Sequence, residues 1–486
     1  MALPKFMLIP PQPLDRYRAL LGSEEFADIE RIAARARHEF SGHAIWHVSS
    51  TARGGGVAEL LHSLLPYVRG AGIDTRWVVL RDGTDFFTIT KRLHNQLHGS
   101  SGDDGALGLD ERRVYEATLG LNGAYLARLI QPEDVVYLHD PQSAGLVPLL
   151  KELGVRVIWR CHVGIDEPNA LVREAWDFLR RYVEAADAYV FSRRKYVWEG
   201  LDEERVWLMA PCIDAFCPKN QDLEPAVVEA ILGVVGLEES PAAAVVPTYV
   251  RGDGSPGRVD RRAELLQEAP LPADAKVVAQ VSRWDRLKDP IGLLRCFERH
   301  LADPTIHLVM AAPSTRAVAD DPEGEAVYGS LARAWRDLPE EKRRRVHLAS
   351  LPMNDLDENA AMVNALQRRA DVIVQKSLAE GFGLTVVEGM WKGKAVVGSR
   401  VGGIQDQIVD GESGVLVDDP HDLEAFGETI RGLVEDPARA ARLGDAARQR
   451  VIDRFLGINR LAEYVELVAS LMSPAQTTAL RKAPTA

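Results

Sequence analysis

Two glutamates frame a glycine-containing turn in the stretch EGFGLTVVE, residues 380–388. The apolar run DVIVQ before it predicts a strand, and a helix is expected to begin near Gly383, which leaves Glu380 in the loop and Glu388 on the second helical turn. The amides that would crowd the entrance of this helix belong to Gly381, Phe382, Gly383 and Leu384. Carboxylates repel phosphate but accept hydrogen bonds from hydroxyl groups, so the two acids are expected to bind hydroxyls such as those of a sugar.

A basic loop lies about a hundred residues earlier, in QVSRWDRLKDP, residues 280–290. Arg283 and Lys288 are five positions apart in it, and Arg286 is a competing cation. A guanidinium and an ammonium together suit a diphosphate, whereas a solvated basic turn is the alternative. The formal net charge of -13 argues against general nucleic-acid binding, so any anionic ligand must be met by a local cluster of this kind.

The first half of the chain contains a glycine-rich loop, SSTARGGGVAE. Gly54, Gly55 and Gly56 follow the first predicted strand and directly precede a predicted helix, so backbone amides could approach a ligand closely. The spacing is neither G-x-G-x-x-G nor that of a Walker loop. A turn with no ligand is equally compatible with these residues.

Polar residues also close two neighbouring strands of the first half. His139 and Asp140 end the run YLHD, and His162 follows the run WRC. A histidine at a strand end can donate to a sugar hydroxyl or carry a proton near neutral pH, and it can also be purely structural. Two adjacent strand ends that both carry polar groups favour a binding site.

The elements that must position these residues follow a repeating pattern. Short apolar runs alternate with longer helical patterns, which indicates right-handed βαβ units on parallel sheets. The strand-like runs are AIWHV, RWVVL, DVVYLHD, VRVIWRCH and DAYVF in the first half, and KVVAQVS, IHLVMAA, RVHLAS, DVIVQKS, KAVVGS and GVLVDD in the second. We therefore predict an α/β protein with two doubly wound, Rossmann-like sheets. Ligands of such sheets bind beyond the carboxyl ends of the strands, and two sheets facing each other would form one cleft.

A change of composition marks the predicted domain boundary. Over about residues 213–270 the strand patterns lapse, while proline, glycine and charged residues accumulate. We predict a first domain over 1–212 and a second over 213–454 that carries this stretch. The amphipathic segment 458–472 is compatible with packing on either domain, and we assign the C-terminal stretch 455–486 to the first.

Composition restricts the class of protein. Of the 486 residues, 46% are hydrophobic and 27% charged, and no apolar run approaches the roughly 20 residues that span a bilayer. The amino end has two adjacent prolines and no small-residue cleavage site, so we interpret it as part of the mature chain. Four irregularly spaced cysteines indicate neither a disulfide framework nor a zinc site, which favours reduced thiols and a cytoplasmic protein. The sequence leaves the oligomeric state open, a homodimer included.

The two glutamates separated by seven residues, the basic loop before them and the strand-end histidine resemble the retaining nucleotide-sugar glycosyltransferases of family 4, which have the two-domain GT-B fold. A closer resemblance, to the trehalose synthases of that family, extends over about residues 47–398. The segments that carry it are HVSSTARGGGVAELLHSLLPYVRGAGIDTRW, FFTITKRLHNQLHG, APCIDAFCPKN, VSRWDRLKDP and SLAEGFGLTVVEGMWKGKAVV.

The resemblance implies a first domain that binds the acceptor and a second that binds the donor. It also implies a reaction, possible in either direction, in which glucose from ADP-, UDP- or GDP-glucose is joined to free glucose. The disaccharide formed is α,α-trehalose. By the same resemblance Glu380 contacts the donor hexose and Glu388 the ribose. Arg283 and Lys288 would hold the diphosphate. His162 would lie by the primary hydroxyl of the donor sugar.

Acceptor residues are assigned only by position, to the loop of Gly54, Gly55 and Gly56 and to Asp140. Many family 4 members have an aspartate two residues after the catalytic histidine, whereas Asp166 lies four residues after the histidine here. We therefore assign no role to Asp166.

The sequence does not require a metal or a tightly bound cofactor. Asp355 and Asp357 form its one Asp-x-Asp pattern, just ahead of a helical segment, where helix capping is the expected role. A magnesium ion could still accompany the nucleotide sugar.

Two other functions stay open. The first is a different sugar transfer, such as sucrose or glucan synthesis or mannosyl transfer to a lipid, and the second is a non-enzymatic sugar-nucleotide sensor. A membrane partner is not expected, because no basic or amphipathic membrane face is evident. A sensor would be expected to lose an acid or a cation that this sequence retains.

Overall fold

A computed structural model describes residues 4–52, 55–81, 83–239, 245–315 and 322–472. The chain forms two compact units. The first unit contains the described residues up to Ile213 and those from Phe455 onwards, and the second is Asp214–Arg454.

The first unit alternates strands and helices. Its strands are β1 (Lys5–Met7), β2 (Ile45–Ser49), β3 (Thr75–Val79), β4 (Val135–His139), β5 (Arg156–Cys161), β6 (Ala188–Phe191) and β7 (Val206–Leu208). Its helices are α1 (Ser23–Glu39), α2 (Gly56–Gly70), α3 (Thr84–Leu97), α4 (Leu109–Leu126), α5 (Asp140–Ser143), α6 (Leu146–Lys151) and α7 (Ala170–Val183). The C-terminal helix of the chain, Gly457–Met472, also belongs to this unit and packs against α1 and α2.

These seven strands form one sheet in the order β1-β3-β2-β4-β5-β6-β7. The pairs are parallel except that of β1 with β3. β2, β4 and β6 are buried along their whole length, as expected for parallel strands that are covered on both faces. Because β2, β4 and β5 are neighbours, their carboxyl ends open at one edge of the sheet.

The second unit repeats this arrangement. Its strands are β8 (Thr248–Val250), β9 (Pro256–Arg258), β10 (Glu264–Leu266), β11 (Lys276–Val281), β12 (Ile306–Pro313), β13 (Val346–Leu351), β14 (Val372–Gln375), β15 (Ala395–Ser399) and β16 (Val415–Val417). Its helices are α8 (Pro225–Val235), α9 (Pro290–His300), α10 (Pro322–Arg336), α11 (Glu340–Arg343), α12 (Leu356–Arg369), α13 (Leu384–Trp391), α14 (Ile404–Gln407), α15 (Leu423–Glu435) and α16 (Pro437–Arg454). The C-terminal helix that follows is α17.

The second sheet has the order β10-β13-β12-β11-β14-β15-β16, and only its edge strand β10 is antiparallel. Each sheet is covered by its own apolar core, which includes Trp46 and Trp159 in the first unit and Trp335 and Phe426 in the second. Two Rossmann-like α/β units are thus confirmed.

The structure differs from the sequence interpretation chiefly at the edges. Strands β8, β9 and β10 occur in the stretch where strand patterns lapse, and the edge strands β1 and β7 were not predicted. All five have three residues each, too few to show a periodicity. The predicted cap role of Asp355 is confirmed, since its side chain accepts from the backbone N–H groups of Asp357 and Glu358 at the start of α12.

Candidate active site

The candidate residues of the second unit lie on two loops that are joined to each other. These loops follow β11 and β14, which are neighbouring parallel strands. The buried side chain of Gln280 donates to the backbone oxygen of Lys288 at 2.9 Å and accepts from the backbone N–H of Lys376 at 3.0 Å. The backbone N–H of Leu378 also donates to the oxygen of Leu287 at 2.7 Å. The basic loop and the glutamate loop are therefore held side by side.

Lys288 and Glu380 form an ion pair across these loops. The Lys288 Nζ lies 2.5 Å from Glu380 Oε2, and the Ser377 hydroxyl donates to the same carboxylate oxygen at 3.2 Å. Arg283 is placed differently: its side chain is 61% exposed and pairs with Asp285 in its own loop at 3.2 Å. The structure thus joins Lys288 to Glu380, whereas Arg283 has a separate carboxylate partner.

The turn between the two glutamates is shaped by glycine. Gly383 has φ of +88°, a left-handed conformation that favours glycine, and α13 begins at the next residue, as predicted. The backbone N–H of Gly403 donates to the oxygen of Gly381 at 3.2 Å, and the Gln407 side chain donates to the oxygen of Phe382. A Cβ on Gly403 would lie 2.6 Å from the Cα of Phe382, so this position requires glycine for close backbone contact.

Glu388 is buried, with only 2% of its surface exposed. Its carboxylate is 3.1 Å from Lys219 Nζ and accepts from the Gln367 side chain at 3.4 Å. Lys392 directly follows α13, and its Nζ lies 3.0 Å from the side-chain oxygen of Asn220. Burial lowers the pKa of Lys392 to about 7. The ribose role of Glu388 remains a prediction, and in this structure the carboxylate is paired with Lys219.

Sequence reasoning missed a second buried ion pair beside these loops. Lys376, fully buried directly after β14, contacts the carboxylate of Asp289 and lies 5.6 Å from the ring centroid of Phe426. Asp289 in turn caps α9, accepting from the N–H of Gly292 at 2.9 Å, with a backbone φ of +44°. The signal was a lysine at the end of the buried run DVIVQ. Lys219 and Gly403, by contrast, lie in segments with no recognisable pattern.

In the first unit, Asp140 lies directly after β4 in a strained backbone conformation. Its φ is +63°, which is rare for a residue other than glycine and is typical of functional sites. The carboxylate accepts from the backbone N–H of His162 at 2.7 Å, and the Asp140 carbonyl accepts from the Trp159 indole at 3.2 Å. Burial raises the pKa of Asp140 to about 7, so near neutral pH this side chain can be a donor or an acceptor.

His162 belongs to a row of stacked, hydrogen-bonded imidazoles. His162 Nε2 lies 3.1 Å from His139 Nδ1, and His139 Nε2 lies 3.0 Å from His47 Nδ1. At the opposite end of the row from His162, the hydroxyl of Tyr464 on α17 lies 2.9 Å from His47 Nε2. Burial lowers the pKa of His47 to about 3 and those of His139 and His162 well below their usual range, so all three rings are neutral at pH 7. No sequence pattern predicts that His47 and Tyr464 take part in this row.

The glycine-rich loop lies at the same edge of the first sheet, because it follows β2. Gly54 is outside the described residues. Gly55 has φ of +117°, and α2 begins at Gly56. Asp166, to which no role was assigned, forms a 2.5 Å ion pair with Arg193, and both side chains are largely buried. The ion pair therefore gives Asp166 a structural role within the first unit.

Neither a membrane-spanning helix nor a metal-binding cluster occurs among the described residues. No helix among them is long and apolar enough to cross a membrane. No group of three or more histidine, cysteine, aspartate or glutamate side chains in this part of the chain could hold a metal ion.

Two family models match the chain: "Trehalose synthase, N-terminal domain" over residues 47–198 and "Glycosyl transferases group 1" over residues 261–450. A trehalose synthase of Pyrococcus horikoshii is 34% identical over 463 residues, which cover 94% of this chain and 96% of that protein. A trehalose phosphorylase of Pleurotus pulmonarius is 27% identical over 477 residues, 93% of this chain but only 60% of the phosphorylase.

Among solved structures, an α,α-trehalose-phosphate synthase (UDP-forming) of Burkholderia vietnamiensis superimposes with a TM-score of 0.62, at 16% identity, over 87% of this chain and 96% of that chain. This likeness concerns the fold. The two Rossmann-like units and the matched domains together define a GT-B glycosyltransferase that uses a nucleotide sugar. Within that class, the chain belongs to the trehalose synthase family.

Proposed function

We propose that this protein transfers glucose from a nucleoside-diphosphate glucose to free glucose and forms α,α-trehalose with retention at the anomeric carbon. The main support is the Lys288–Glu380 pair, which lies on two joined strand-end loops beside the start of α13 in a chain of the trehalose synthase family. ADP-, UDP- and GDP-glucose all remain candidate donors, because no residue described above distinguishes the bases.

The second unit is proposed to bind the donor. Lys288, with Arg283 from the same loop, would neutralise the diphosphate, and the start of α13 would add its positive field. Glu380 would accept from hydroxyls of the glucose, and Glu388 from those of the ribose. The ion pair supports this division of roles, since it holds the Glu380 carboxylate and the Lys288 ammonium side by side, where a sugar hydroxyl and the diphosphate joined to it could be bound together.

The first unit is proposed to bind the glucosyl acceptor. Asp140 is the residue that supports this best, because its strained backbone and its pKa of about 7 are features of a functional carboxyl group rather than a structural one. Gly55 and Gly56 would let backbone amides approach the same sugar. His162 would donate to a hydroxyl of the donor glucose.

Glu380 is poorly suited to act as a nucleophile in a double displacement, because its oxygen already faces Lys288. We therefore favour attack from the face that the diphosphate leaves. The bond between the anomeric carbon and the phosphate oxygen breaks as the bond to the acceptor oxygen forms. The acceptor proton passes to the leaving phosphate oxygen, whose charge Lys288 and Arg283 would stabilise.

The direct test incubates the purified protein with glucose and, separately, with each of the three nucleoside-diphosphate glucoses, then identifies the product by NMR. We expect a non-reducing disaccharide with both anomeric centres α. Parallel reactions with EDTA and with Mg²⁺ determine whether a metal accompanies the nucleotide. Nucleotide release without trehalose would redirect the search to another acceptor sugar.

A reaction with trehalose and inorganic phosphate should be run alongside. The proposed donor would be contradicted if glucose phosphate forms from trehalose and phosphate as fast as trehalose forms from the nucleotide sugar. It would also be contradicted if only the phosphate-dependent reaction occurs. Lys288→Ala and Arg286→Ala form a matched pair for both assays, because Arg286 belongs to the same turn but its side chain is 78% exposed.

A further inference from the structure

The imidazole row of the first unit has a direction. It connects Tyr464 through His47 and His139 to His162, with each link between 2.9 and 3.1 Å. A neutral imidazole has one N–H and one lone pair, so each ring that accepts at one nitrogen must donate from the other. The position of one proton at the start of the row therefore fixes every proton along it.

The start of the row is the Tyr464 hydroxyl. It is buried, and it lies 2.9 Å from His47 Nε2. The neighbouring hydroxyl, that of Thr75, has no other hydrogen-bond partner among the described residues, and as a donor to the phenol oxygen it partly offsets the rise in the pKa of Tyr464 that burial causes. With Thr75 donating to the phenol oxygen, the imidazole nitrogen is the acceptor left for the phenol proton, whereas the opposite direction would turn that proton onto Thr75 and leave the threonine proton buried without an acceptor.

Each following proton position is then determined. If Tyr464 donates to His47 Nε2, His47 carries its proton on Nδ1 and donates to His139 Nε2. His139 then carries its proton on Nδ1 and donates to His162 Nε2. His162 must carry its own proton on Nδ1, and no hydrogen bond joins that nitrogen to another group in the described part of the chain.

We infer that Tyr464, His47 and His139 are positioning residues that hold His162 in the Nδ1–H tautomer. His162 consequently presents a hydrogen-bond donor, and not a proton-accepting lone pair, to an oxygen of the ligand at the carboxyl edge of the first sheet. Only the identity of that ligand, a hydroxyl-rich sugar, rests on the proposed function. The tautomer itself is a property of the free protein.

The chain contains a matched pair of tyrosines for the test. Tyr137 stacks on His47 at 5.0 Å and on Tyr464 at 5.4 Å, but its buried hydroxyl has no hydrogen-bond partner among the residues that the structure describes. Tyr464→Phe therefore removes the first proton of the row, whereas Tyr137→Phe removes a hydroxyl from the same stack without breaking a link.

The readout is the ¹⁵N NMR spectrum of the full-length, histidine-labelled protein without ligand, with the signals of His162 assigned by their loss in His162→Gln. We expect a protonated Nδ1 and an unprotonated Nε2 in the wild type and in Tyr137→Phe, and a mixture of tautomers in Tyr464→Phe. The KM for the nucleotide sugar should rise about 2- to 10-fold in Tyr464→Phe, the value of one neutral hydrogen bond, with Tyr137→Phe unchanged.

A wild-type spectrum with the His162 proton on Nε2 would overturn the inference, and so would identical spectra for the two phenylalanine variants. The wild-type spectrum decides the tautomer even if a variant is unstable. If the protein makes no trehalose but His162 carries its proton on Nδ1, the proposed function fails while this inference stands.

Discussion

The carboxyl edges of the two sheets carry polar side chains of different kinds. In the first unit these groups are largely uncharged, since His139 and His162 are neutral and Asp140 has a pKa of about 7. In the second unit, ammonium groups face carboxylates in ion pairs, and both Lys288–Glu380 and Lys376–Asp289 join the loops that follow β11 and β14. The same edge of the same kind of sheet can therefore suit an uncharged sugar in one unit and a charged diphosphate in the other.

Burial accounts for the difference. In the first unit His139, Asp140 and His162 are buried without an opposite charge at contact distance, so desolvation favours their neutral forms. In the second unit two lysines have carboxylate partners, since Lys376 contacts Asp289 and Lys219 contacts Glu388, whereas the pKa of Lys392, which lies against the side-chain oxygen of Asn220, is lowered to about 7. The contrast predicts that substitutions of charge should affect turnover most in the second unit, and that pH should affect the first.

The largest effect is expected from Lys288→Ala. Loss of the ammonium should lower kcat by roughly 10²- to 10³-fold, because it removes a charge that would stabilise the leaving diphosphate. Steady-state kinetics against both substrates measure this, with Arg286→Ala as the control from the same turn. Equal turnover in the two variants would show that the charge of Lys288, at the carboxyl edge of the second sheet, does not contribute to catalysis.

Asp140→Asn should change how unfolding depends on pH. The pKa of Asp140 is raised from 3.8 to about 7, so its neutral form stabilises the folded unit fully below pH 4, and this stabilisation is lost as the pH rises through 7. Asparagine imitates the neutral form at every pH. At pH 8 the free energy of unfolding of the variant should therefore exceed that of the wild type by about 2–4 kcal/mol, and its unfolding temperature should be higher. At pH 4 the two proteins should unfold at similar temperatures.

The measurement is thermal unfolding of both proteins from pH 4 to pH 8, followed by assays with varied glucose. Asparagine cannot ionise at the proposed acceptor site, so we expect a raised KM for glucose together with the gain in stability. A stability difference that does not change with pH would show that Asp140 is ionised in the folded protein.

Gly403→Ala should have a moderate effect on donor binding. The added methyl would clash with the backbone of Phe382 and displace the turn before α13, so the KM for the nucleotide sugar should rise by about 10-fold, the equivalent of one lost interaction of about 1.4 kcal/mol. Gly432→Ala is the control, because a Cβ there meets nothing within 4 Å and the residue lies within α15. An unchanged KM in Gly403→Ala would mean that the turn does not contact the donor.

The smallest effect is expected from His347→Gln, which alters a second imidazole pair. His347 Nε2 lies 3.0 Å from His307 Nδ1, and its other nitrogen lies 3.0 Å from the Gln267 side chain. Both histidines are the second residues of their strands, β12 and β13, so they lie at the amino ends of these strands and not at the carboxyl ends. We expect kinetic constants within about 2-fold of the wild type and a loss of about 1–3 kcal/mol of stability from the broken buried bonds. A marked loss of turnover would extend the candidate site to the amino edge of the sheet.

The sequence predicted the buried parallel strands well, because such strands are continuous apolar runs like KVVAQVS. It also predicted where α13 begins, since a left-handed glycine before an apolar stretch is a local signal. Lys219 and Tyr464 could not be found in this way. Lys219 meets Glu388 across 169 positions of the chain, and Tyr464 meets His47 across 417, so only the folded topology brings these groups together.

The position of α17 has a consequence for the order in which the chain is made. Residues of the second unit form one uninterrupted segment, Asp214–Arg454, whereas the first unit is complete only when α17 has also been synthesised. The ribosome therefore releases every residue of the later unit before the earlier unit can close its last contacts on α1 and α2. Tyr464 follows every residue of the second unit in the chain, so His47 of β2 has no phenol partner until the whole second unit has been translated.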